Sequence, residues 1–249
     1  MKLSVLGAGP AYTNRPRAVG ASYLVQSGAT ALLLDLGHGA FSNLAGAIEP
    51  STLTAVAISH LHPDHFIDLV PLRHSLRYEF QPPRRIAILA PAALAQRLDA
   101  LLGQPGFSAV SLDITVLADG FAADIGELRL EARRVTHTDD SYAFRVSTAT
   151  GAGLVYSGDC GRAGDLLPLI RPGDVLLSEV SFGLGPVPPG VLHLDAADVG
   201  RLAAETGVSR ILLTHLLSGF DRTATAAAVE QAGGGVPAQL VDPGDRFQL

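Results

Sequence analysis

The chain has 249 residues, of which 47% are hydrophobic and 17% charged, with a formal net charge of −6. That length supports a sizeable core, and no uninterrupted apolar run approaches the ~20 residues of a membrane span, so composition points to a soluble globular protein. The acidic balance leaves no broad cationic footprint for a large nucleic-acid surface, and the single cysteine, Cys160, rules out an internal disulfide and suits a reducing compartment.

The opening MKLSVLGAGPA has one lysine and an apolar run broken by glycines, too short for a secretory leader, so a cytoplasmic location is expected. Residues 2–6 read as a strand leading into Gly7-Ala8-Gly9-Pro10. A dinucleotide-binding turn does not fit there, because Tyr12 holds the third glycine position and Pro16 and Gly20 oppose the helix it would need. Strands over 22–26 and 30–36, joined through Ser27-Gly28-Ala29, form an antiparallel hairpin. A strand over 54–59 follows, then a helical pattern over 66–78 that Pro71 kinks or restarts. After a strand at 86–89, Pro91 opens a helix in which Leu94, Leu98, Leu101 and Leu102 share a face and which Gly103 ends.

Further strands are expected over 108–117, 127–136, 141–148, 153–157 and 174–180. Asp195 caps a helix over 196–206, with Asp198 in its first turn, and strands over 210–214 and 239–241 complete the chain. No linker or low-complexity tract interrupts it, so residues 1–249 are expected to form one domain. Two strand-rich halves flanked by helices suggest a four-layer αββα sandwich.

The densest chemistry lies in TAVAISHLHPDH, residues 54–65, where three histidines and an aspartate fall within six residues. If 54–59 is a strand, His60 and His62 occupy alternate positions of an extended segment and point the same way. Asp64 and His65 follow the Pro63 turn, so the stretch offers ligands to two neighbouring metal ions. The same device recurs, with strand-like runs ending at His137, Asp159 and His215. Such strand ends would converge on one edge.

His60-Leu-His62-Pro-Asp64-His65, followed in order by His137, Asp159 and His215, resembles the metallo-β-lactamase superfamily of binuclear metallohydrolases, and the resemblance runs the length of the chain. It implies the αββα fold, with His60, His62 and His137 holding one divalent metal and Asp64, His65 and His215 a second. Asp159 would bridge the two, and a shared hydroxide would be the nucleophile. Zinc suits these ligands, as do manganese and iron. In the family the aspartate matching Asp35 supports the His-rich loop, whereas from the sequence alone Asp35 could equally cap its turn.

His193, 22 residues before His215, resembles the histidine that contacts the phosphate in the branch holding tRNA 3′-processing endonucleases and cyclic-nucleotide phosphodiesterases. Asp64 and His193 are therefore the expected catalytic residues. The tRNA-processing enzymes carry a long arm between the third histidine and the bridging aspartate, but only 21 residues separate His137 from Asp159. A small phosphodiester such as a cyclic nucleotide is accordingly preferred over tRNA. The alternatives are a tRNase Z-like endoribonuclease, a lactone or thioester hydrolase, and a non-catalytic metal-containing carrier. The resemblance also implies a homodimer. Ser141, Tyr142, Glu179, Arg15, Arg17 and the stretch 182–189 could contribute to the cleft, each with an ordinary structural role as its alternative. Cys160 reads as a small buried filler beside Asp159.

Overall fold

Alternate buried side chains on both faces of the central strands dictate the layering. The computed structural model describes residues Met1–Leu249. Its first half contributes β1 (Lys2–Gly7), β2 (Ser22–Ser27), β3 (Thr30–Leu34), α1 (Ala40–Ala47), β4 (Ala55–Ala57), α2 (Pro63–Phe66), α3 (Leu69–Tyr78), β5 (Ile86–Ala90), α4 (Leu94–Leu102) and β6 (Leu112–Val116). The second half contributes β7 (Ala122–Ile125), β8 (Leu128–Arg134), β9 (Tyr142–Ser147), β10 (Leu154–Tyr156), β11 (Val175–Glu179), α5 (Ala196–Thr206), β12 (Arg210–Thr214), α6 (Arg222–Ala232), β13 (Ala238–Leu240) and β14 (Arg246–Gln248).

The strands form two seven-stranded sheets, ordered β14-β1-β2-β3-β4-β5-β6 and β13-β12-β11-β10-β9-β8-β7. Leu32 and Leu34 of β3 enter a core shared with Tyr142, Phe144, Tyr156 and Leu212 of the facing sheet. The intervening Leu33 points outward, into a second core with Leu44, Leu72 and Leu98 from the helices. On the other sheet Leu212 faces inward, while Ile211 and Leu213 meet Val199, Leu202 and Val229 of α5 and α6. Three apolar cores thus separate four layers, helix, sheet, sheet, helix, because each sheet buries both faces. This is the expected αββα sandwich.

The β2–β3 hairpin turns at Gly28, whose φ of 50° is left-handed. Pro71 lies in the first turn of α3, where its missing N–H has no partner to lose, so the helix restarts there. The expected strand over 108–117 is shorter: Ser108 gives both its N–H and its hydroxyl to Asp99 Oδ1, and the chain makes a 3-10 turn before β6 begins. Two helices, α1 and α6, and two of the four edge strands, β7 and β14, have no counterpart among the sequence expectations.

Candidate metal centre

Parallel strands deliver the polar residues to one edge. Asp35 follows β3 and His60 follows β4, which run parallel. On the other sheet β10, β11 and β12 run parallel, and β8 runs the same way because each is antiparallel to its neighbour through β9. Their C-terminal ends carry Asp159, Glu179, His215 and His137. The two sheets are tied beneath the site by the Tyr142 N–H, which donates to Ser59 O at 2.9 Å.

The His-rich loop is pinned through its backbone. Ala21 N–H donates to Asp64 O at 2.9 Å and Leu36 N–H to His65 O at 2.8 Å. Asp64 O packs so closely on Gly37 that a Cβ there would lie 1.8 Å from it, and one on Gly20 would lie 2.6 Å away. Both positions therefore require glycine. Their role was invisible in the sequence, since it depends on a loop 27 residues away from Gly37.

All seven expected ligands meet, in two groups about Asp159. His60, His62, His137 and Asp159 can point ligand atoms at one common position, and Asp64, His65 and His215 at another. Asp159 Oδ2 lies 3.6 Å from Nε2 of both His60 and His137, while its Oδ1 lies 3.4 Å from His65 Nε2 and 3.5 Å from His215 Nε2. One carboxylate oxygen faces each group. His137 Nε2 and His62 Nδ1 approach to 3.2 Å, and His215 Nε2 and Asp64 Oδ2 to 3.0 Å.

A second set of bonds fixes which ring nitrogen is free. His65 Nδ1 donates to Asp35 Oδ2 at 2.8 Å, and His137 Nδ1 donates to Leu192 O at 2.8 Å. Ser59 Oγ donates to Asp35 Oδ2 at 2.7 Å, so toward His60 Nδ1, 3.1 Å away, it can only accept. The same logic holds on the other sheet, where Ser181 Oγ donates to Glu179 Oε2 and accepts from His215 Nδ1 at 2.9 Å. In each ring Nε2 is the nitrogen left facing the centre. Asp35, with a left-handed φ of 56°, also accepts from Ser59 N and from Tyr156 OH at 2.7 Å. Its supporting role is thereby decided over a turn cap.

Protonation follows burial and neighbours. Burial, reinforced by the surrounding imidazoles, pushes His60 and His62 down, so both rings are neutral. Burial opposes ionisation of Asp64 and Asp159, yet bonds and attraction from His65 and His215 outweigh it and both carboxyls stay below their ordinary range. His65, despite burial, is raised by Asp159 and Asp35 on its two sides, so its Nε2 proton toward Asp159 is the one a bound cation would displace to free the lone pair.

The donor set fits divalent cations. His60 Nε2, Asp64 Oδ1, His65 Nε2 and Asp159 Oδ1 are buried without any hydrogen-bond partner, four of the five such side-chain atoms in the chain. Orphaned polar atoms cost about 1–3 kcal/mol each, and lone pairs and anions converging on two points find their partner in a cation.

His193 sits beside this cluster, its ring 4.8 Å from that of His137 and 5.8 Å from that of His215. Its Nδ1 donates to Glu179 Oε1 at 2.9 Å. Partial burial lowers its pKa, but the Glu179 bond and charge overcome this and push it up to about 9. Glu179, fully buried, also accepts from the backbone N–H of Cys160 and Ser181. Of the remaining residues singled out in the sequence, Phe182 flanks His193 with ring centres 6.2 Å apart. Tyr142 instead bonds Asp140 and Leu117 O, Ser141 accepts from Thr138 N, and Cys160 is buried in the outer core. Arg15 and Arg17 line a separate 240 Å³ cavity with Arg222.

A four-layer sandwich with a His/Asp cluster at the shared sheet edge defines the class of metal-dependent hydrolases. Residues 31–216 match the Beta-lactamase superfamily domain, and the chain belongs to that superfamily, within its metallo-β-lactamase fold. An uncharacterized protein of Mycobacterium leprae is 31% identical over 255 residues, covering 100% of this chain and 89% of its own. The metallo-beta-lactamase fold protein YhfI of Bacillus subtilis superposes with a TM-score of 0.88 at 22% identity, over 99% of this chain and 98% of YhfI. The short form of human tRNase Z superposes with a TM-score of 0.75 at 19% identity, over 100% and 99%. The protein is a metal-dependent hydrolase. No helix is long and apolar enough to cross a membrane.

Proposed function

We propose that the protein is a binuclear metal-dependent phosphodiesterase acting on small nucleotides, cyclic mononucleotides foremost. In this reading His60, His62 and His137 would hold one cation and Asp64, His65 and His215 the other, with Asp159 placed between the two groups to serve both. When bound, the two cations neutralise phosphate charge and activate a water for attack. Asp64 and His193 are the catalytic side chains. Asp64 Oδ1 has no protein partner and can accept a hydrogen bond from the attacking water. His193, oriented through Nδ1 by Glu179, carries its second proton on Nε2 toward the departing oxygen.

The observation that carries this reading is the buried Glu179 carboxylate holding a protonated His193 beside the cluster. An ester whose leaving oxygen needs a proton and whose phosphate is anionic uses such an imidazolium; a lactone or thioester gives it less to do. The 21 residues between His137 and Asp159 are taken up by β9, β10 and their turn, which supports a small substrate over tRNA. Zinc is the proposed metal, on the imidazole and carboxylate donors. A single, buried, reduced cysteine accords with the cytoplasm. A homodimer follows from the family resemblance and is checked by light scattering.

The test is hydrolysis of bis(p-nitrophenyl) phosphate, cyclic AMP and an unprocessed tRNA by metal-loaded protein. Turnover of the first two without tRNA cleavage supports the proposal. Cleavage of tRNA would replace it with the endoribonuclease reading, and inactivity on all three would remove phosphodiesters altogether.

A further inference from the structure

Between β11 and α5 the chain runs through residues 184–192, LGPVPPGVL, a stretch without a single polar side chain. Its neck is clasped at both ends: Phe182 N–H donates to Leu194 O at 3.1 Å and Ala196 N–H to Gly183 O at 2.7 Å. Beyond the neck, none of the residues 184–192 is buried. Two backbone bonds, from Gly185 N–H to Phe182 O and from Val191 N–H to Pro188 O, are local turns. The stretch makes one hydrogen bond to the rest of the protein, and it comes from the metal centre: His137 Nδ1 donates to Leu192 O at 2.8 Å.

Leu192 is also seated on bare backbone. A Cβ on Gly161 would lie 2.7 Å from Leu192 Cβ, 2.8 Å from Leu192 Cα and 2.8 Å from Thr136 O. None of these atoms is the far end of a flexible side chain, so only glycine lets the stretch come down here. Gly161 is itself tied to the segment that carries His137, through its N–H to Thr136 O. His193 follows Leu192 directly, and its ring stands 4.8 Å from that of His137. One point of attachment therefore serves a metal-site histidine and the neighbouring catalytic histidine together.

We propose that residues 184–192 form a flap latched on the metal centre at Leu192, and that latching by His137 and seating on Gly161 place His193 for the departing oxygen. The inference rests on the phosphodiesterase reading given above. A cation bound at His137 Nε2 would leave the ring proton on Nδ1 and fix where that N–H points, so loading the His137 group also closes the flap. Glu179 sets the direction of the His193 ring from the opposite side. Leu192 and Gly161 are positioning residues, since they act on the reaction through His193. A segment held by one hydrogen bond and few buried contacts opens at little cost once that bond goes.

The experiment follows the flap directly. Limited subtilisin digestion of zinc-loaded and metal-free protein, with fragments read by mass spectrometry, should nick the chain within 184–192 about tenfold faster without zinc. Gly161→Ala should show the fast nicking even when loaded. A rate independent of zinc, or cutting that spreads equally to the His-rich loop, would overturn the latch, and this arm stands on the wild-type chain alone. Kinetics supply the second arm, because p-nitrophenolate leaves with little help from an acid whereas a ribose oxygen needs a proton. In Gly161→Ala, kcat for cyclic AMP should fall about tenfold more than kcat for bis(p-nitrophenyl) phosphate, with KM and metal content near wild type. Equal losses on both substrates, or lost metal, would make Gly161 a support of Asp159 and overturn its role toward His193. His193→Ala is the control for the functional reading. If it shows no such gap between the substrates, or if cyclic AMP is not turned over at all, that reading fails, and the zinc dependence of nicking then decides the latch by itself.

Discussion

Glu179 Oε1 and His193 Nδ1 lie 2.9 Å apart, a buried carboxylate at the end of β11 holding an imidazole 14 residues further along the chain. Asp35 does the same for His65 at the end of β3 on the facing sheet, at 2.8 Å. Each carboxylate also takes a serine hydroxyl, Ser181 and Ser59, which in turn accepts from a second histidine, His215 and His60. Two like devices, one per sheet, therefore orient four of the rings at the centre.

Replacing His193 by alanine is expected to lower phosphodiester turnover by about 10² or more while metal content stays at the wild-type level. Glu179→Gln should reproduce part of that loss in kcat, since the amide no longer stabilises an imidazolium. Steady-state kinetics with elemental analysis of the same samples checks this. Loss of metal from His193→Ala would instead make it a ligand, consistent with its place within reach of Asp159 and His215.

Asp35→Ala is expected to weaken metal binding by about 10–100-fold, because it frees the His65 ring and leaves Ser59 and Tyr156 without their acceptor. A chelator-competition titration measures it. Affinity equal to wild type would show that His65 is oriented without Asp35.

The sequence made the candidate centre legible because its expected ligands sit at strand ends in a recognisable order, and α5 and β12 have the bounds expected of them. Glu179 was visible as a polar end to an apolar run, yet its task depends on Ser181 and His193 folding back over it. The Asp35–Tyr156 bond joins residues 121 apart across the two sheets, beyond what periodicity reports. Helix α6, RTATAAAVEQA, buries Thr225 and Val229 and carries no apolar stripe to read. In α1 the N-cap is Gly39, with no side-chain cap to announce a helix. Strands β7 and β14 are sheet edges of only four and three residues, too short for an alternating pattern to register.

Gly37→Ala should displace the His-rich loop, since the added methyl would overlap Asp64 O. The expected outcome is a folded protein with depressed metal uptake at the Asp64 position, seen as reduced metal stoichiometry with near-native circular dichroism. Full loading would mean that the loop yields without moving its ligands.

Stability has an acid limit at Asp174. This buried carboxylate accepts from Arg145 Nε at 2.7 Å, Arg145 Nη2 at 2.9 Å and Gly153 N at 2.6 Å. Burial pushes its pKa up, but these bonds outweigh it and hold the folded value below the ordinary one. A depressed folded pKa stabilises above the unfolded value of about 3.9 and is lost as pH falls through the folded one. Asp174→Asn should therefore cost about 3 kcal/mol at pH 7, with the gap to wild type constant down to about pH 5 and closing below about pH 4. Denaturant titrations across that range decide it; a gap that persists at low pH would place the effect elsewhere.

The most direct measurement of the central claim is divalent metal per chain, by elemental mass spectrometry after reconstitution and desalting, with phosphodiester turnover recorded on the same samples. Two equivalents in the wild type, falling to one or none in Asp159→Ala together with activity, is the predicted result. A single equivalent in the wild type, or an Asp159→Ala variant that keeps both metals and its turnover, would contradict a bridged pair of cations as the catalytic centre.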